Sequence, residues 1–141
     1  MEELKGLPVM LSIRGYDHIE GLEAFSLGMI QVQDVTSALV GEAASPKRGD
    51  YIIDVCAAPG GKSLHLADKL EGTGLVEARD LSVQKVSLIE ENRIRCGYDN
   101  VRTVVWDALQ TDEDASVRRI LSSRICLFRA RNYWQKARYK V

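Results

Sequence analysis

One stretch, Tyr51-Ile-Ile-Asp-Val-Cys-Ala-Ala-Pro-Gly-Gly-Lys-Ser63, constrains the chain more than any other. Tyr51 to Val55 is a short apolar run of β-branched and aromatic type, suited to a strand covered on both faces in a parallel sheet. Ala57, Ala58, Gly60 and Gly61 then have little or no side chain, so a ligand can approach the backbone closely. The helix after them aims free N–H groups at whatever sits above the turn. This is the layout of a nucleotide-type cofactor site at the carboxyl end of the first strand of a doubly wound sheet.

The flanking sequence extends the pattern. A helix is predicted over about Gly61 to Leu70, with Leu64, Ala67 and Leu70 facing the sheet. A strand comes next over Leu75 to Ala78, with Asp80 just past it. Ser82 can cap a helix over about Val83 to Cys96, with Val86, Ile89 and Ile94 inward and Gly97 as its C′ residue. Val101 to Trp106 is a third strand, ending at Asp107. Short connections in a βαβαβ order predict an α/β, Rossmann-like parallel half-sheet.

Upstream, Leu7 to Ile13 reads as a strand and Gly15-Tyr16-Asp17 as a turn. Ile19 to Phe25 reads either as a second short strand or as an irregular arm. Leu27 to Gln33 includes an alternating strand pattern. Asp34 can cap a helix over about Val35 to Ala44, with Val35, Leu39 and Ala43 on one face, before a loop over Ser45 to Asp50. The chain therefore divides into an N-terminal arm (1–33), a cofactor-binding half-domain (34–121) and a basic tail (122–141).

At 141 residues the chain can bury one core. No apolar run reaches the length of a membrane span, and Met1-Glu2-Glu3 is not a signal peptide, so a cytoplasmic location is the default. Cys56, Cys96 and Cys126 fit neither a disulfide framework nor a CxxC zinc site, and no metal is expected. The net charge of −1 hides an asymmetry: every acidic residue lies at or before Asp114, and eight of the 19 basic residues lie at or after Arg118. A nucleic-acid-binding tail is one explanation.

Three carboxylates mark strand ends: Asp54 in the first strand, Asp80 at the second and Asp107 at the third. Carboxyl ends of parallel strands lie side by side, so Asp80 and Asp107 should flank the glycine turn. A carboxylate after the second strand can accept two O–H bonds from a ribose diol, and a side chain after the third can reach an adenine edge. Aspartates at strand ends are also common loop formers, but three in one βαβαβ unit weigh toward cofactor binding. The turn is neither the Walker pattern nor the GxGxxG of dinucleotide enzymes.

The string DVCAAPGGKS resembles the cofactor motif of the NOL1/NOP2/Sun family of RNA cytosine-5 methyltransferases, which use S-adenosyl-L-methionine. Phe25 to Asp34 (FSLGMIQVQD) and Val105-Trp-Asp-Ala108 are similar to that family too, nearest to its bacterial branch acting on 16S ribosomal RNA. The resemblance runs from about Gly15 to Asp107. It implies that Cys56, Ala57, Ala58, Pro59, Gly60, Gly61 and Lys62 line the methionine and ribose part of the cofactor. It implies that Asp80 binds the ribose hydroxyls and that Asp107 lies near the adenine. Lys62 can also be read as a solvated helix-start lysine; its place in the string favours the site.

The implied chemistry needs thiols. One thiolate adds to C6 of cytosine, activating C5, and a second assists release, on a base unstacked into the pocket. The family carries these in a Pro-Cys and a Thr-Cys motif after its fourth and fifth strands. Neither dipeptide occurs in this sequence. Cys56 and Cys96 read as packing residues; Cys126 lies near the expected place of the first motif, but Ile125 and Leu127 do not match it. No catalytic residue is therefore assigned. Two further readings stay open: a non-catalytic cofactor-binding fragment, and another Rossmann-type nucleotide-binding protein such as an NAD-dependent one.

The tail Arg129 to Lys140 (RARNYWQKARYK) can be encoded so that dropping one nucleotide yields GLGIIGKKPDIK, which resembles the family's segment just after its Pro-Cys motif. A change of reading frame between about Leu121 and Leu127 is therefore expected, making the basic tail an out-of-frame product. A half-sheet with strands missing would leave apolar surface open, so the chain is expected to aggregate unless a partner covers it.

Overall fold

The computed structural model describes residues 2–4, 7–13, 15 and 18–110. The basic tail, Cys126 and the expected frame change lie outside these residues. Strand β1 (Glu2–Leu4) pairs antiparallel with β2 (Leu7–Ser12), forming a small separate sheet. β2 matches the strand expected from Leu7, whereas β1 has no local pattern that marks it as a strand.

The segment after it departs from the strand readings. Ile19–Gly21 is a turn of 3-10 helix and Glu23–Ser26 is a short helix, α1, so the arm is irregular and holds no second strand there. Leu27 to Gln33 is not a strand either. Its alternation fails because its backbone acceptors go to a side chain. The Arg95 guanidinium donates to the carbonyls of Phe25 (2.7 Å) and Ile30 (3.1 Å), and no described strand pairs with the segment.

Helix α2 (Val35–Ala44) starts where expected. Asp34 accepts from the Thr36 amide at 2.8 Å, the N-cap geometry. Its buried face is not the predicted one. Ala38 and Gly41 are buried, while Val35, Leu39 and Ala43 are exposed. The reason is close helix packing: a Cβ on Gly41 would lie 2.5 Å from Nδ1 of His65 on the facing helix. Small residues are needed on that face, and the larger ones turn outward.

The principal sheet is parallel, in the order β3 (Tyr51–Asp54), β4 (Leu75–Asp80), β5 (Val101–Val105). Helices α3 (Gly61–Lys69) and α4 (Val83–Cys96) form the two crossovers. Sequential strands with right-handed crossovers place both helices on one face. There Leu64, Leu66, Ala67 and Leu70 meet Ile89 over Ile52, Val76, Ala78 and Val101. Leu64, Ala67, Leu70 and Ile89 thus take their expected inward places. Ile94 does not: it is 64% exposed, because α4 turns that flank to solvent. Asp80 is the last residue of β4 rather than a residue beyond it, since the ladder continues through Asp80↔Val105. The architecture is the Rossmann-like α/β unit predicted from the βαβαβ pattern.

The opposite sheet face carries a buried polar cluster. Glu77, 2% exposed, accepts from Tyr51 Oη at 2.7 Å and pairs with Arg79 and Arg102. Trp106 lies against Arg79, its ring centre 4.9 Å from the guanidinium carbon. Among the described residues no helix is long and apolar enough to cross a membrane.

Candidate functional site

Parallel strands deliver their carboxyl ends to one edge, and the turn after β3 lies there. Asp54, the last residue of β3, is fully buried. Its Oδ2 accepts from Ser63 Oγ at 2.9 Å and its Oδ1 from the Cys56 amide at 3.3 Å. The carboxylate therefore ties the strand end to both the start of the turn and the first turn of α3. Burial pushes its pKa up; Lys62, Ser63 and the Cys56 amide partly offset this, and Asp80 adds to it.

The turn is pinned on several sides. The Ala57 amide donates to the Arg79 carbonyl at 3.0 Å, and the Gly60 amide closes onto the Ala57 carbonyl at 2.7 Å. Gly60 has φ 110°, which a side chain rarely adopts, and a Cβ there would press on Ile89 at 3.3 Å. The residue is thus fixed by both conformation and space. Gly60 is the N-cap of α3 and no side chain caps that end. The first amides of α3 are left to face whatever lies above the turn.

Asp80 stands beside this turn as expected. It is 3% exposed, and its Oδ2 accepts from the Ala58 amide at 3.0 Å. Its Oδ1 accepts from Leu81 N at 2.8 Å and pairs with Lys85 Nζ at 3.2 Å. The Trp106 amide donates to the Asp80 carbonyl at 2.9 Å, so Asp107 comes directly after on the same edge. Asp107 itself folds back on its own loop, accepting from the Leu109 amide at 2.9 Å. Cys56, Ala58, Gly61 and Lys62 are half-buried along the turn, Ala57 is buried and Pro59 is exposed.

Neither described thiol is activated. Burial raises the Cys56 pKa, and Asp80 and Asp54 raise it further. Burial likewise raises that of Cys96. Both are free thiols that stay protonated at neutral pH. No group of His, Cys, Asp and Glu that could hold a metal stands together among the described residues.

Four residues near the turn carry no mark in the sequence pattern. Lys85 reaches Asp80, and Gln33 Nε2 donates to the Gly61 carbonyl at 3.3 Å. Asn92 Nδ2 donates to the Pro59 carbonyl at 3.0 Å and accepts on Oδ1 from Arg95 at 3.0 Å. The spacing of Asn92 and Arg95 on one helix flank was the available signal.

Residues 42–127 match the model of the family described as 16S rRNA methyltransferase RsmB/F. The chain is 38% identical over 111 residues to the Bacillus subtilis protein named "Probable ribosomal RNA small subunit methyltransferase B", covering 77% of this chain and 25% of that one. It is 37% identical over 109 residues to a tRNA (cytosine(72)-C(5))-methyltransferase of Pyrococcus horikoshii, covering 76% of this chain and 28% of that one. Among solved structures, the crystal structure of NSun6 from Pyrococcus horikoshii with SFG superposes with a TM-score of 0.63 at 39% identity. That match covers 66% of this chain and 24% of that one. The chain thus spans about a quarter of the length of the curated relatives it matches.

Proposed function

Because the chain belongs to the 16S rRNA methyltransferase RsmB/F family, we propose that its glycine turn holds S-adenosyl-L-methionine for methyl transfer to C5 of a cytosine in 16S ribosomal RNA. The donor set fits the cofactor. The uncapped N-terminus of α3 and Lys62 suit the carboxylate of the methionine part. Asp80, held at the turn by Ala58, suits a ribose diol. Asp107, next along the edge, is within the region assigned to the adenine. The small residues Ala57, Ala58 and Gly61 let the ligand approach the backbone. When bound, the cofactor supplies an electrophilic methyl group; this chain's residues orient it and shield it from water.

The observation that carries the reading is the Asp80 carboxylate bonded across the turn beside an uncapped helix start. Calorimetry of the 141-residue chain with S-adenosyl-L-methionine, S-adenosylhomocysteine and NAD tests it. The first two bind and NAD does not; binding of NAD alone would favour another Rossmann-type function. A second reading concerns chemistry. The sequence lacks the Pro-Cys and Thr-Cys dipeptides, and burial keeps Cys56 and Cys96 protonated. This polypeptide then binds the cofactor without transferring the methyl group, and an assay on 16S RNA gives no labelled cytosine.

The division into arm, cofactor half and basic tail belongs to the same proposal, as do the RNA substrate and a cytoplasmic location. So does the change of reading frame between about Leu121 and Leu127. Resequencing the gene there decides it: codons that do not yield the shifted GLGIIGKKPDIK string sink the idea.

A further inference from the structure

We infer that Asn92 is a positioning residue for the cofactor turn, and that it couples the turn through Arg95 to the segment Phe25–Gln31. The inference rests on the proposed cofactor site for its effect on binding, but not for its geometry. Asn92 and Arg95 sit three residues apart on α4, on the flank that faces both the arm and the turn. Asn92 uses both ends of its amide. Nδ2 donates to the Pro59 carbonyl inside the turn at 3.0 Å, and Oδ1 accepts from Arg95 at 3.0 Å. Nδ2 also reaches the Leu88 carbonyl of its own helix at 3.1 Å, which fixes the rotamer.

Arg95 spends the rest of its fork on the arm. It donates to the carbonyls of Phe25 and Ile30 at 2.7 and 3.1 Å and to Oε1 of Gln31, and its guanidinium carbon lies 3.9 Å from the centre of the Phe25 ring. A guanidinium can do this because its donors are coplanar and fixed in angle; an ammonium cannot span the same acceptors. The arm returns to the turn by a second route, since Gln33 Nε2 donates to the Gly61 carbonyl. Arm, α4 and turn are thus joined in a closed circuit of hydrogen bonds. Displacing the arm withdraws Arg95 from Asn92 and loosens the bond that holds Pro59. By reciprocity, a ligand that fixes the turn favours the docked arm.

Asn92→Asp separates the two halves of the device. It keeps the acceptor for Arg95 and removes the donor to Pro59. Arg95→Lys does the converse, keeping the Asn92–Pro59 bond and releasing the arm. Two readouts are taken on the full chain: calorimetric affinity for S-adenosylhomocysteine, and amide exchange of Ala57 and Gly60 in the turn against Ile52 and Val76 in the sheet. Asn92→Asp is expected to weaken binding roughly fivefold, the effect of one hydrogen bond. It should speed exchange at Ala57 and Gly60 while Ile52 and Val76 are unmoved. Arg95→Lys gives the same selective loosening of the turn, and the double variant is less than additive. A merely structural role would instead speed exchange at all four amides together. Unchanged turn exchange in Asn92→Asp overturns the inference. Unchanged affinity, with wild-type binding intact, overturns it equally. Failure of the wild-type chain to bind S-adenosylhomocysteine overturns the cofactor reading alone, because turn exchange still reads the circuit without ligand.

Discussion

The Asp80 carboxylate accepts the Ala58 amide at 3.0 Å and so fastens the end of β4 to the turn after β3. The other oxygen is held by the Leu81 amide and Lys85. A buried carboxylate with this many donors is already oriented before any ligand arrives, and it has lone pairs left to accept hydroxyls. Asp80→Ala should therefore lower the affinity for S-adenosylhomocysteine about tenfold or more, the range of hydrogen bonds to a charged group. Asp80→Asn, which keeps one acceptor, should lose less. Calorimetry on both variants checks the order; equal affinity for wild type and Asp80→Ala would remove Asp80 from the site.

Asp54 makes the opposite demand on its surroundings. Burial raises its folded-state pKa above the ordinary 3.8, beyond what Lys62, Ser63 and the Cys56 amide restore. The native state then holds the proton more tightly than the unfolded chain. By linkage, its contribution is full below about 3.8 and is lost as pH rises through the folded value. Asn can replace it sterically, with Oδ1 accepting from Cys56 and Nδ2 donating to Ser63 Oγ. Urea unfolding across a pH series should show Asp54→Asn gaining on wild type as pH rises above 3.8. A constant difference between the two at every pH would contradict this.

Glu77 behaves with the other sign. Burial alone would raise its pKa, but hydrogen bonds from Arg102, Tyr51 and Arg79 more than offset that and hold it below the ordinary 4.5. Its stabilisation is present above 4.5 and is lost as pH falls through the lower folded value. Glu77→Ala takes the carboxylate from a nearly buried Arg79 and from the Tyr51 hydroxyl. Breaking a buried pair from one side costs about 3–5 kcal/mol. A loss well under about 1 kcal/mol in denaturant unfolding at neutral pH, the range of exposed pairs, would show that the cluster is solvated in solution.

These residues also show what a sequence exposes and what it hides. The βαβαβ unit was legible because its signals are local: an apolar run at Tyr51, a cap at Ser82, a C′ glycine at Gly97. The turn string and Asp80 were legible because strand order alone brings strand ends together. The arm was not. Leu27 to Gln33 has strand alternation, but Arg95, more than sixty residues away, takes its carbonyls. The orientation of α2 was hidden for a similar reason. Hydrophobicity pointed to Val35 and Leu39, whereas contact with His65 selected Ala38 and Gly41. Asn92, Gln33 and Lys85 reach the site only once α4 and the arm are placed, and no local pattern marks such partners.

Gly28 gives the sharpest test of that docked arm. Its φ is 72°, and a Cβ built on it would lie 1.9 Å from the Arg95 carbonyl oxygen and 2.8 Å from Cys96 Cα. Both are backbone atoms of α4, so neither can swing aside as a side chain would. Gly15 has nearly the same φ, 73°, with nothing within 4 Å of its virtual Cβ. The pair therefore separates conformational strain from collision. Gly15→Ala should cost about 1 kcal/mol for the backbone conformation alone. Gly28→Ala should cost about 2–4 kcal/mol, the same strain plus overpacking that only separation of arm and helix can relieve. Relief by separation would also release Arg95 from Phe25 and Ile30, so Gly28→Ala should speed exchange at Gly60 as Arg95→Lys does. Equal unfolding midpoints for the two alanine variants in urea would mean that the arm does not press on α4 in solution.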